Sequence, residues 1–131
     1  MIDVLVAGAG PAGSIVATLL ARSGVRVLLV DRARFPRDKL CGDTLNPGAV
    51  ALLRRLDLAE PIERDGLPIN GMILTGERGA RVTGTYRHAM LGRALTRRVL
   101  DSHLLAAAIA AGAQFDDQVV VRGALVETSS G

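Results

Sequence analysis

The stretch that most constrains this chain runs from Ile2 to Asp31. The apolar run Val4-Leu5-Val6-Ala7 leads into Gly8-Ala9-Gly10-Pro11-Ala12-Gly13. A helical pattern over Pro11–Ser23 then leads on to Val27-Leu28-Leu29-Val30-Asp31. A strand, a glycine-rich turn, a helix and a second strand ending in a carboxylate make a βαβ unit in which a GxGxxG pattern has physical meaning. Gly8 is expected to permit a tight exit from the strand, where a Cβ would clash. Gly10 would let a pyrophosphate approach the backbone, and Gly13, with Ala17 one turn on, would let the helix pack closely on the sheet. The diphosphate would then meet the unpaired N–H groups and the positive end of the helix dipole. Asp31 follows Gly13 by 18 residues, close to the spacing of about 20 for a carboxylate that binds ribose hydroxyls. The competing reading is a βαβ unit punctuated by glycine that binds nothing.

Composition narrows the classes of partner. A chain of 131 residues fits one domain with a buried core. Aromatic residues amount to 2%, which leaves no stacking platform for nucleic-acid bases. The net charge of +3 raises the question of a polyanion. The arginines are scattered among acids, however, so the balance suits an anionic cofactor and argues against nucleic acid. Lys39 is the only lysine among 16 basic residues, and Cys41 is the only cysteine. One cysteine excludes an internal disulfide and a multi-cysteine metal site. His88 and His103 have no ligand spacing, so no metal is expected, and His103 is placed on a helix surface. The first strand follows Met1 directly, without the basic region that opens a secretory signal. The apolar run Leu104 to Ala113 is shorter than the roughly 20 residues a spanning helix needs. The expectation is a cytoplasmic protein with no transmembrane segment.

Along the chain, the first strand (residues 2–7) is apolar on both faces after Asp3 and reads as a central parallel strand. The helix to Ser23 would bury Ile15, Val16, Leu19 and Leu20 and stop at Gly24. A second strand covers Val25 to Val30. Residues 32–45 form a polar loop, long enough to imply a function. Asn46 and Pro47 read as the N-cap and first residue of a helix whose stripe is Val50, Leu53 and Leu56. Ile69 to Thr75 and Ala80 to Tyr86, around Gly76-Glu77-Arg78-Gly79, read as a hairpin inserted from a second sheet. A helix from Thr96 to Ala111 presents Leu100, Leu104, Ala107, Ala108 and Ala111 and ends at Gly112. Gln114 to Val121 reads as the third parallel strand, and Ala124 to Glu127 as the start of another. Three parallel strands leave a free sheet edge, a liability that suggests further chain.

With the loop and last helix in view, the chain resembles the flavoprotein family that includes geranylgeranyl reductases and aromatic-ring hydroxylases. The matching pieces are Gly8 to Gly13, the pair Asp31-Arg32, the loop Phe35-Pro36-Arg37-Asp38-Lys39-Leu40-Cys41-Gly42-Asp43, and Arg97-Arg98-Val99-Leu100-Asp101. The loop leans toward the geranylgeranyl-reductase branch. The resemblance implies an α/β fold: a three-layer, Rossmann-like FAD/NAD(P)-binding domain on a parallel sheet, with the hairpin inserted from a second sheet and the fold incomplete. Residues 1–131 would be the N-terminal part of this domain, with 67–86 starting a substrate-side β-sheet and a C-terminal remainder of the same protein as partner.

It further implies that Gly8, Gly10, Pro11, Ala12 and Gly13 surround the FAD diphosphate, that Asp31 binds the adenosine ribose, and that Arg32 lies near the adenine, unless it is a solvated surface arginine. Arg97 would reach the diphosphate and ribityl region, with a structural ion pair to Asp101 as the competing role. Cys41 and Gly42 would approach the isoalloxazine end, or Cys41 would be a small buried thiol. No side chain stands out as catalytic beyond Cys41. The implied activity is electron transfer from a reduced donor, NADPH or NADH, through FAD to a hydrophobic, prenyl-type or aromatic small molecule. The alternatives are a flavin-dependent monooxygenase, hydroxylase or halogenase, an NAD-binding dehydrogenase, and a non-catalytic nucleotide-binding module.

Overall fold

The computed structural model describes residues 1–125. Its first sheet contains β1 (Val4–Ala7), β2 (Val27–Val30) and β8 (Gln114–Asp116), all parallel, in the order β1-β2-β8. Helix α1 (Pro11–Arg22) connects the first two strands. Between β2 and β8 the chain forms β3 (Thr44–Leu45), α2 (Pro47–Arg55), α3 (Glu60–Asp65), β4 (Leu67–Ile69), β5 (Gly71–Thr75), β6 (Arg81–Thr85), β7 (Gly92–Ala94) and α4 (Arg97–Ala110). This is the mixed α/β, Rossmann-like arrangement the sequence led us to expect. Of the expected layers, the described residues supply the sheet and a helix layer made by α1 and α4.

Among the described residues β2 lies between β1 and β8, and β1 pairs with β2 alone. Leu5 is accordingly half-exposed. The buried stripe of α1 differs from the one expected. Ser14, Ala17 and Thr18 are buried while Val16 and Leu19 are exposed, because α1 packs on the sheet and on α4 through its small side chains. The two hydroxyls find partners at once, Ser14 on the Ala9 carbonyl (3.1 Å) and Thr18 on the Ser14 carbonyl (2.7 Å), so their burial is compensated. At the far end of α1, Gly24 adopts φ +82°. The Gly24 and Val25 N–H groups close the helix on the Ala21 and Leu20 carbonyls.

Two apolar clusters meet across α4. Leu105 and Ala108 join Ala9, Ala17, Val27, Leu29 and Ala113 on the sheet side. Leu100 and Leu104 join Leu53, Leu58, Ala59, Ile62 and Leu95 on the other. Burial of a leucine such as Leu104 is worth about 1.5–3 kcal/mol. Ala107 and Ala111, expected on the buried face, are only partly covered, and Asp101 lies there instead, at 1% exposure. His103 is half-buried rather than on the surface, its Nε2 2.7 Å from Asp65 Oδ2 of α3.

Helix α2 begins as read, with Asn46 Oδ1 accepting from the Ala49 N–H and Pro47 opening the first turn. The segment expected as one strand over 69–75 is divided at Asn70. Strand β4 joins β3 and β7 in a small antiparallel sheet, whereas β5 pairs, among the described residues, only with β6. The expected hairpin is present, its register running from Gly71 opposite Thr85 to Thr75 opposite Arg81. The third parallel strand stops at Asp116 rather than Val121, and residues 119–125 are irregular. The strand expected over 124–127 is thus absent at 124 and 125, and its other half lies outside the described residues.

Candidate functional site

At the C-terminal ends of β1 and β2, an open cleft of about 790 Å³ is lined by the glycine-rich turn, Asp31, Arg32, Ala33, Arg37, Asp38, Lys39, Arg97 and Val119 to Val121. Eight of the ten residues singled out in the sequence line it: Gly8, Gly10, Pro11, Ala12, Gly13, Asp31, Arg32 and Arg97. Cys41 and Gly42 do not. The loop carries them past the cleft, and both residues are exposed.

The turn is built as its spacing suggested, with one change of reason. A Cβ on Gly8 would touch nothing, so the residue answers to its φ of +109° rather than to crowding. A Cβ on Gly13 would lie 1.8 Å from the Gly8 carbonyl oxygen, so this glycine lets the first turn of α1 close onto the strand exit. Gly10 is the N-cap of α1 and has no side chain to satisfy the first-turn N–H groups, which therefore remain free to meet a ligand.

Asp31 is 7% exposed and its two oxygens are both engaged. Oδ2 accepts the Ala9 N–H at 2.8 Å and Oδ1 the Ala33 N–H at 2.9 Å. The carboxylate thus fixes the glycine turn to the end of β2. Each oxygen has further lone-pair capacity for a hydroxyl.

Two guanidinium groups stand over the N-terminus of α1. The place a Gly10 Cβ would take is 3.5 Å from Arg37 Nη2 and 3.6 Å from Arg97 Nη2. The two roles weighed for Arg97 coexist. Its Nε and Nη2 donate to Asp101 at 2.8 and 3.0 Å while its side chain still borders the cleft. That pairing holds Arg97 above its ordinary pKa. Arg37 Nη2 lies 3.2 Å from Asp101 and 3.8 Å from Asp31, and its guanidinium sits 5.1 Å from the centre of the Phe35 ring. Phe35 meets Phe115 edge-on at 5.4 Å, and its N–H donates to Asp117. The loop is pinned again where the Arg97 N–H donates to Asp43 Oδ1 (3.3 Å) and Arg98 pairs with Asp38 (3.4 Å).

Arg37 is the residue the sequence reading missed. Its signal was present, a cation two residues beyond an aromatic in a long polar loop, but only the folded loop brings it to the turn. Cys41 keeps a chemical link to the cleft rim. Its thiol is held below the ordinary range first by the Asp43 backbone N–H and next by Arg97. Arg32 is exposed at the rim, able to cover a flat ring but not fixed to do so.

The donor set fits a nucleotide diphosphate: uncapped helix N–H groups, a residue without a Cβ, and two cations held by a buried carboxylate. A sugar hydroxyl would find Asp31 alongside. Among the described residues no group of three or more His, Cys, Asp or Glu residues is arranged to hold a metal ion. No helix there is long and apolar enough to cross a membrane.

Comparison with known proteins gives the family. The family described as "FAD binding domain" matches residues 1–129. The menaquinone reductase of Mycolicibacterium smegmatis is 53% identical over 73 residues, covering 53% of this chain and 18% of that protein. The 6-methylpretetramide 4-monooxygenase of Streptomyces rimosus is 42% identical over 86 residues, 65% of this chain and 21% of that one. Among solved structures, a geranylgeranyl bacteriochlorophyll reductase-like protein of Thermoplasma acidophilum superposes with a TM-score of 0.81 at 27% identity, covering 95% of this chain and 32% of that chain. The chain therefore spans between about a fifth and a third of the length of these proteins.

Proposed function

The chain belongs to the FAD binding domain family, and from that premise we propose that it supplies the FAD-binding portion of a flavin-dependent oxidoreductase. The observation that carries this reading is the pair Arg37 and Arg97 over the uncapped start of α1, beside Asp31. In it, the first-turn N–H groups and the two guanidiniums hold the diphosphate, Asp31 accepts the adenosine ribose hydroxyls, and Arg32 covers the adenine. The bound flavin would carry electrons between a reduced donor and a substrate, while the protein binds and orients it. NADPH or NADH is the proposed donor. The likeness to menaquinone reductase favours reduction of an apolar, prenyl-type acceptor. The likeness to 6-methylpretetramide 4-monooxygenase favours a second outcome, hydroxylation of an aromatic substrate. Strands over 67–86 would open the sheet on the substrate side, and Cys41 and Gly42 would lie toward the flavin ring.

The test is the visible absorption of the purified full-length protein, followed by extraction and identification of the bound flavin. FAD in about equimolar amount is expected, and Gly10→Val should remove it, because a branched side chain would fill the diphosphate's approach. A colourless protein that binds no FAD when supplied with it, or a Gly10→Val protein with normal flavin content, refutes the assignment.

A further inference from the structure

Resting on that cofactor reading, we infer that Asp101 is the positioning residue of the diphosphate site, acting by aiming two arginines rather than by touching the ligand. Asp101 is 1% exposed on the buried side of α4, so it does not itself meet a molecule in the cleft. Its two oxygens receive Arg97 Nε and Nη2, and Oδ2 also faces Arg37 Nη2. The arginines come from different places, Arg97 from the first turn of α4 and Arg37 from the loop after β2, and this one carboxylate joins them. A guanidinium on a flexible stem has no preferred direction until a planar partner fixes its fork. For Arg97, Asp101 is the only ion-pair partner among the described residues. For Arg37, the other groups at hand are Asp31 at 3.8 Å and the Phe35 ring.

The charge count turns this into a question of sign. Arg37 and Arg97 against Asp31 and Asp101 make a formally neutral group. If Asp101 acted only through its charge, removing that charge would leave a net cation beside the diphosphate and strengthen binding. If it acts by position, the same change frees both forks and weakens binding. Breaking a buried hydrogen-bonded charge pair characteristically costs more than the altered long-range field returns.

The experiment titrates the full-length apoprotein with FAD, read by flavin fluorescence, and with ADP, read by calorimetry. Asp101→Asn keeps the size and removes the charge, and it should weaken both ligands by about tenfold or more. In an Arg97→Gln background the same substitution should lose at least half of its effect on a logarithmic scale, since one of the two groups it directs is gone. A residue that merely supports the fold would keep its full effect there. Equal or tighter binding by Asp101→Asn, or losses that add without coupling to Arg97→Gln, overturns the inference. Should Asp101→Asn fail to fold by circular dichroism, Asp101→Glu, which keeps the charge and displaces the carboxylate, takes its place. A several-fold loss is then expected, and parental affinity overturns the inference. If the unsubstituted protein takes up neither FAD nor ADP, the cofactor reading falls and this inference with it; the two failures are told apart by which protein fails to bind.

Discussion

The cleft at the glycine turn and the β5–β6 hairpin treat polarity in opposite ways. The cleft buries charge: Asp31 and Asp101 are almost wholly enclosed, with every carboxylate oxygen engaged. The hairpin leaves apolar side chains in water: Met72, Leu74 and Val82 are 53%, 65% and 64% exposed. The register sets Leu74 opposite Val82 and Met72 opposite Gly84, so these residues share one uncovered face. Buried charge is costly unless paired in good geometry, and uncovered apolar surface forgoes about 25 cal/mol per Å². In the cleft the cost accompanies a fixed array of donors aimed at one point. In the hairpin no compensating contact is made among the described residues. Local sequence is therefore a poor guide to which residues stiffen this chain, and position in the packed layers is the better one.

If that contrast holds, substitutions in the two regions should differ widely in effect. The largest is expected at Gly13→Val, where the new Cβ would start 1.8 Å from the Gly8 carbonyl oxygen. Shifting backbone to relieve such overlap should cost about 3 kcal/mol or more, read as a lower urea midpoint, and a parental midpoint would mean the turn is not closed as described. Asp31→Ala comes next. It removes the acceptor for the Ala9 and Ala33 N–H groups as well as the proposed ribose partner. FAD should weaken by roughly 1.5–3 kcal/mol, and unchanged affinity would take Asp31 out of the site.

A smaller effect concerns Cys41. With its thiol held below the ordinary range by the Asp43 N–H and Arg97, the thiolate should persist to lower pH than in a free thiol. Its alkylation by iodoacetamide should then reach half-maximal rate below the usual value of about 8.5. Arg97→Gln should move that midpoint upward, and a profile that ignores Arg97 would disconnect Cys41 from the cleft rim. The smallest effect is expected at Leu74→Ser on the open hairpin face, a stability change within about 0.5 kcal/mol. A loss of several times that size would show that something covers the hairpin in solution.

Much of this was legible in the order of residues. The glycine turn, Asp31 and the N-cap Asn46 rest on interactions within a few residues or on the end of an adjacent strand. Those are the distances over which local chemistry dictates conformation. The sequence also offered Arg97 and Asp101 as a pair at i and i+4. What it did not show is that Asp101 would be buried and shared with Arg37, 64 positions earlier. The same holds for the exposed Val16 and Leu19, whose apolar character promised burial. An apolar stripe indicates which side of a helix prefers cover but not which neighbours arrive, and here α4 packs against α1 with the small Ala17 in their shared cluster. Strand 69–75 was misjudged for a related reason. Nothing local marks the division at Asn70, which falls where the chain passes from pairing with β7 to pairing with β6.

Helix α4 sends Leu105 and Ala108 into one apolar cluster and Leu100 and Leu104 into the other. It is thus the common wall of two rooms, and neither can be emptied while the other stays furnished. Its backbone amides should be among the slowest to exchange with deuterated water, opening only when most of the chain opens, while those of β5 and β6 should exchange early and independently.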